Sequence, residues 1–159
     1  MSRIGRYIAI AVLALGVAGV AMGTAFIVEG QSKATFIKNA MREEQVTLGV
    51  EGAAQGDLVD SAAEAQKAAD TIRGHRLEQY GTYKEVTGGA SYDPTNINQL
   101  RYTQALNLEN SLYLGVASLG LTTVTIVSGI FMVVTGIALG GTGIVLFQLA
   151  KAKAKAKTA

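Results

Sequence analysis

The chain contains no cysteine and no tryptophan, and only one histidine and one proline. Without cysteine there is no disulfide framework, no thiolate nucleophile and no cysteine-ligated metal. His75 has Glu78 three residues on, but one imidazole with scattered carboxylates is a poor ligand set, so a solvated helix surface is its expected place. Asp93, Asn96 and Asn98 lie close together yet lack the glycine and closing glutamate of a calcium loop. No pairing of nucleophile and base and no cofactor cradle is legible either. The sequence therefore predicts no enzyme, no cofactor and no metal site.

Charge is missing from two long stretches. Tyr7 to Val28 carries none and as a helix would span about 33 Å, matching the roughly 30 Å of a bilayer's hydrocarbon core. Asn110 to Ala150 also carries none and would span about 62 Å, too long for one crossing and a little short for two. Mean hydropathy is +0.29, with 49% apolar residues, which is high for a soluble chain.

Acidic charge is missing from both ends: all 12 acidic residues fall between Glu29 and Glu109. Arg3 and Arg6 begin the chain, and Lys151, Lys153, Lys155 and Lys157 finish it. Positive residues stay on the cytoplasmic side, so one crossing per stretch puts both termini in the cytoplasm and residues 29–109 outside the plasma (cytoplasmic) membrane. Two crossings in the second stretch would strand the lysines. A cleaved signal peptide is the alternative for the N-terminus, but the uncharged run exceeds the usual apolar core of such peptides.

Between the crossings, Phe36, Ile37, Ala40 and Met41 share a helical face, so the first helix should run on to about Gln45. "LGVEGAAQGD" from Leu48 to Asp57 reads as a loop. Ser61 and Glu64 have capping-box spacing ahead of an alanine-rich helix ending near Tyr80. Asp93 and Pro94 have the chemistry of an N-cap and first helical position for the second long helix, which would become membrane-embedded from about Thr125. The expected fold is an all-α integral membrane protein: an antiparallel hairpin of two long transmembrane helices with a small helical extracytoplasmic cap. Its parts are residues 1–30, 31–109, 110–150 and the tail 151–159.

Glycine is plentiful. "TGIALGGTG" from Thr135 to Gly143 resembles a phosphate loop only superficially, because it follows no strand and lacks a Gly-Lys-Ser/Thr ending. Packing explains it better. Gly115, Thr122, Gly129, Gly136 and Gly143 recur every seven residues, as do Ala9, Gly16, Gly23 and Gly30. Such a seam faces one partner and lets backbones approach closely where lipid removes the hydrophobic drive. Matching seam to seam with Arg6 and Lys151 at one depth pairs Gly16 with Gly143, Gly23 with Gly136 and Gly30 with Gly129. A one-heptad slip ranks second. Gly19 and Gly23 also form a GxxxG pair that could serve self-association.

Tyr80, Tyr83, Tyr92 and Tyr102 fall in the outer segment, where burial, interfacial anchoring or contact with a partner protein are the available roles. Arg3, Arg6 and the four tail lysines suit a membrane-surface anchor that holds anionic lipid rather than nucleic acid. Expected partners are the bilayer and other membrane subunits or further copies of the chain. The expected function is a structural or accessory subunit; the alternative is a homo-oligomeric pore lined by Thr122, Thr125, Ser128, Thr135 and Thr142.

Overall fold

The computed structural model describes residues 3–47 and 56–155. The chain is all-helical, with α1 at Arg3–Glu43, α2 at Ala62–Tyr80, α3 at Tyr83–Thr87 and α4 at Ile97–Lys155. Thr47 and Leu58 form an isolated antiparallel bridge, and no longer strand occurs among the described residues. Two helices, α1 and α4, are long and apolar enough to cross a membrane. The fold divides into a terminal unit, Met1–Lys33 with Thr122–Ala159, and a central unit, Ala34–Leu121.

Local chemistry sets the helix ends. α1 stops at Glu43 because Gln45 takes a left-handed φ of 50°, its N–H turning back to Arg42 O at 3.0 Å. The loop expected over 48–57 lies mostly outside the described residues. Ser61 caps α2, its hydroxyl accepting from Glu64 N–H at 3.2 Å. The reciprocal arm of the expected capping box does not form there: Glu64 Oε2 accepts from Asp60 N–H at 3.1 Å, one residue earlier. Gly81, at φ 71°, closes α2 after Tyr80.

The complete capping box belongs to α3, a helix not anticipated from the sequence. Thr82 N–H donates to Glu85 Oε2 at 2.6 Å, and Glu85 N–H returns to Thr82 Oγ1 at 3.4 Å. Gly88 ends α3 in the left-handed conformation.

The start of α4 also differs from expectation. Asp93 Oδ1 accepts from Thr95 N–H at 2.9 Å and Thr95 Oγ1 at 2.7 Å, so it closes an Asx turn instead of opening the helix. Asn96 takes over as cap, its Oδ1 accepting from Asn98 N–H at 3.0 Å, and α4 begins at Ile97.

The central unit has an ordinary small core. Ala65, Ala68 and Ala69 lie on one face of α2 and pack with Val59 and Leu112, flanked by Met41, Ile72 and Val116. Alanine at these positions lets α2 lie close to its neighbours, at the cost of little apolar area per residue.

Candidate functional site

Among the described residues of the terminal unit, the repeated small residues are the buried ones. Ala9, Gly16, Gly23 and Gly30 of α1 are buried, as are Thr122, Gly129, Gly136, Gly143 and Ala150 of α4. Contacts at the missing side chains show how tightly the backbones approach. A Cβ on Gly23 would lie 2.5 Å from Gly129 O, and one on Gly136 would lie 2.7 Å from Gly16 O. A Cβ on Gly30 would meet Ile126 Cγ1 at 2.7 Å and Thr122 O at 3.3 Å. At Gly23 and Gly136 no side chain fits without moving backbone, whereas at Gly30 the close atom belongs to the Ile126 side chain. Gly115, in the central unit, is half-buried and only loosely approached, with Met41 Sδ 3.5 Å from its Cβ position.

These contacts correct the favoured register. Gly16 meets Gly136 and Gly140 instead of Gly143, Gly23 meets Gly129 and Val133, and Gly143 meets Leu13. The pairing is thus close to the one-heptad slip, each glycine lying between two residues one turn apart on the facing helix. Two physical reasons favour it. It sets glycine against glycine at Gly16–Gly136 and Gly23–Gly129, and it recruits Gly19, whose Cβ position lies 3.2 Å from Gly136 Cα. Gly19 and Gly23 therefore face α4 of the same chain.

Large apolar side chains point outward in this unit. Leu15, Val17, Val124, Phe131, Val134 and Ile137 are each more than 60% exposed. Two hydroxyls in this unit bond carbonyls of their own helices: Thr24 Oγ1 donates to Val20 O at 2.8 Å, and Thr142 Oγ1 to Ala138 O at 2.9 Å. Of the basic anchors, Arg6 and Lys151 are exposed. Arg3, Lys153 and Lys155 are placed by their helical backbone, and Lys157 lies outside the described residues.

The central unit holds a charged cluster that the sequence did not reveal. Arg76 Nε donates to Glu109 Oε2 at 2.8 Å, both side chains being under 8% exposed. Its Nη1 donates to Tyr102 Oη at 2.8 Å, and the guanidinium carbon stands 4.8 Å from the Tyr102 ring centre. The Glu109 carboxylate holds the Arg76 guanidinium above its usual range. Tyr80 meets Tyr102 edge-on, with ring centres 6.5 Å apart, and Tyr83 is tilted against it at 6.2 Å. Tyr102 is buried and so drops out of the partner-contact set; Tyr83 and Tyr92 remain exposed and Tyr80 is half-buried. Arg76 and Glu109 are 33 residues apart, and the only hint in the sequence is that Glu109 is the last acidic residue before the uncharged stretch.

Surface carboxylates tie the rest of this unit together. Tyr113 Oη donates to Asp70 at 2.6 Å, which lowers the Asp70 pKa and raises that of Tyr113. Arg42 Nε donates to Asp60 at 2.8 Å and lowers its pKa. His75 is exposed on α2. An open apolar groove of about 520 Å³ is lined by Phe36, Met41, Leu108, Leu112 and Leu114, among others.

The chain matches no protein-family model, no curated protein and no solved structure.

Proposed function

We propose that this chain is a non-enzymatic, two-span protein of the plasma membrane. In this reading α1 and α4 cross as an antiparallel hairpin with both ends cytoplasmic, and residues 29–109 form a cap outside. The protein acts as a structural or accessory subunit: its spans dock against other transmembrane helices, and its cap meets partners through surfaces such as Tyr83 and Tyr92.

One observation carries the proposal, the inverted burial of the terminal unit. Glycine and alanine lie inside while valine, leucine, isoleucine and phenylalanine lie outside, and only 11% of the most apolar window of either long helix is buried. Water does not tolerate so large an apolar exterior, whereas lipid or neighbouring spans cover it at no cost. The accessory role is favoured over a pore because the glycine faces are already occupied within the chain and Thr24 and Thr142 bond carbonyls of their own helices.

Topology is tested with single cysteines, which the natural sequence lacks. Ser91→Cys, exposed in the turn before α4, should react with a membrane-impermeant thiol reagent in intact cells, and Ser2→Cys and Thr158→Cys should not. The opposite pattern would overturn the orientation. Purification from native membranes should then recover other membrane proteins in fixed proportion; a closed ring of this chain alone would favour the pore.

A further inference from the structure

The largest fully buried side chain among the described residues belongs to no helix. Val59 is 1% exposed and packs against Ala65, Ala68, Ala69 and Leu112, so it supplies bulk that the alanines of α2 lack. Three links hold it there: its N–H donates to Val46 O at 3.0 Å, Thr47 and Leu58 form the isolated bridge, and Arg42 Nε donates to Asp60 Oδ2 at 2.8 Å. Residues 46–47 and 58–60 thereby make a short strap tied back to the last turn of α1.

The strap separates two hollows of the central unit. The apolar groove of about 520 Å³ has Val46 and Val59 in its lining, and a second hollow of about 410 Å³, reaching Ala68, Ile72 and His75, shares Val46 and Leu108 with it. Leu108 is held on α4, whereas Val46 belongs to the strap. Outward movement of the strap would join the two hollows and uncover the alanine face of α2.

The strap is held more weakly than the rest of the unit. Arg76 and Glu109 are under 8% exposed, whereas the side chains of Arg42 and Asp60 are 55% and 34% exposed. Water and salt screen an exposed pair, so it contributes little and opens readily. One backbone hydrogen bond and one bridge are too short a ladder to be stable alone, which puts the strap among the segments that open locally at small cost.

We propose that the strap is a salt-labile gate: the Arg42–Asp60 pair latches it shut, and releasing that pair lifts Val59 and merges the apolar groove with the hollow beside His75. The gate lies wholly in the central unit and does not depend on the two-span reading.

The chain has no cysteine, so Val59→Cys gives a single thiol whose alkylation by N-ethylmaleimide reports opening in the full chain. Thr87→Cys, at a position 7% exposed in α3, reports wider unfolding of the unit. Asp60→Asn should speed labelling of Val59→Cys by up to about fivefold and leave Thr87→Cys unchanged. Arg42→Gln should do the same, and the two together should add nothing further, because both break one contact. This pairing separates the latch from the α2 cap, since Asp60 N–H also donates to Glu64 Oε2 at 3.1 Å whereas Arg42 takes no part in the cap. Raising sodium chloride from about 0.05 M to about 1 M should speed labelling of Val59→Cys, but not once Asp60→Asn is present. Deuterium exchange at Val59 N–H in the cysteine-free chain should follow the same order, which frees the result from any loosening by the introduced thiol. Equal acceleration at both thiols would make the pair a general stabiliser and overturn the gate, as would additive effects of the two substitutions or a Val59 rate indifferent to all three changes.

Discussion

The terminal unit buries Ala9, Gly16, Gly23, Gly129, Gly136 and Gly143 and exposes its largest apolar side chains, while the central unit buries Val59, Leu112 and an Arg76–Glu109 pair and exposes charge. The two therefore cohere for different reasons. In the central unit, side chains leaving water supply the drive, and a buried ion pair fixes which faces meet. In the terminal unit burial of apolar area contributes little, and cohesion comes from dispersion between backbones brought together by glycine. The same residue types thus have opposite value: a missing side chain is a weakness in one unit and the contact itself in the other.

The largest effect expected from breaking this contrast lies in the central unit. Glu109→Gln leaves the Arg76 guanidinium buried without its counter-charge and should cost about 3–5 kcal/mol. Arg76→Met combined with Glu109→Leu should cost much less, because neither charge is left behind. Thermal unfolding followed by tyrosine near-ultraviolet circular dichroism checks both, and an unchanged transition in Glu109→Gln would show that the pair is dispensable.

A smaller loss is expected from one methyl group in the terminal unit. Gly136→Ala places a Cβ 2.7 Å from Gly16 O and Val20 N, and should cost about 1–3 kcal/mol through overpacking. Gly140→Ala, one turn further along α4, adds a Cβ with nothing within 4 Å and should be tolerated. Helix loss during titration with sodium dodecyl sulfate measures the difference. The register itself is read by Leu13→Cys with Gly143→Cys, which should cross-link within one chain, whereas linkage of Gly16→Cys to Gly143→Cys instead would restore the pairing expected from the anchors.

Gly74 sharpens the comparison from the other side. It is exposed in α2 with nothing within 4 Å of its Cβ position, so Gly74→Ala should stabilise the central unit by about 1 kcal/mol through helix propensity, seen as a higher melting temperature. Glycine is an asset only where a backbone lies against it.

The weakest effect is the pH response. Asp60, Asp70, Glu85 and Asp93 have lowered pKa values, caused chiefly by Arg42, Tyr113, the Thr82 backbone and Thr95 in turn. Their contribution is present above the ordinary carboxylate values of 3.8 and 4.5 and is lost as pH falls through the lowered folded values. Tyr113 is raised by Asp70, so its contribution is present below its ordinary value of 10.0 and is lost as pH rises through the raised one. The melting temperature of the central unit should fall modestly at both extremes, and helix content in the terminal unit should not follow it.

Sequence alone was enough to place both long helices and the ends of α2, because each rests on chemistry within a turn or two of the chain: a run without charge, a Ser61 hydroxyl beside a free N–H, a glycine where the helix stops. The same logic misjudged the start of α4, since Asp93 had a nearer donor in Thr95 than in the helix to come. Tertiary structure decided the register and the Arg76–Glu109 pair. A heptad repeat looks identical after a seven-residue slip, and only the backbone distances at Gly16, Gly19 and Gly136 separate one register from the next. The ion pair joins α2 to α4 across 33 residues, a separation over which no local pattern links a cation to its counter-charge; burial alone selects the partners, because an unpaired charge is too costly to leave inside.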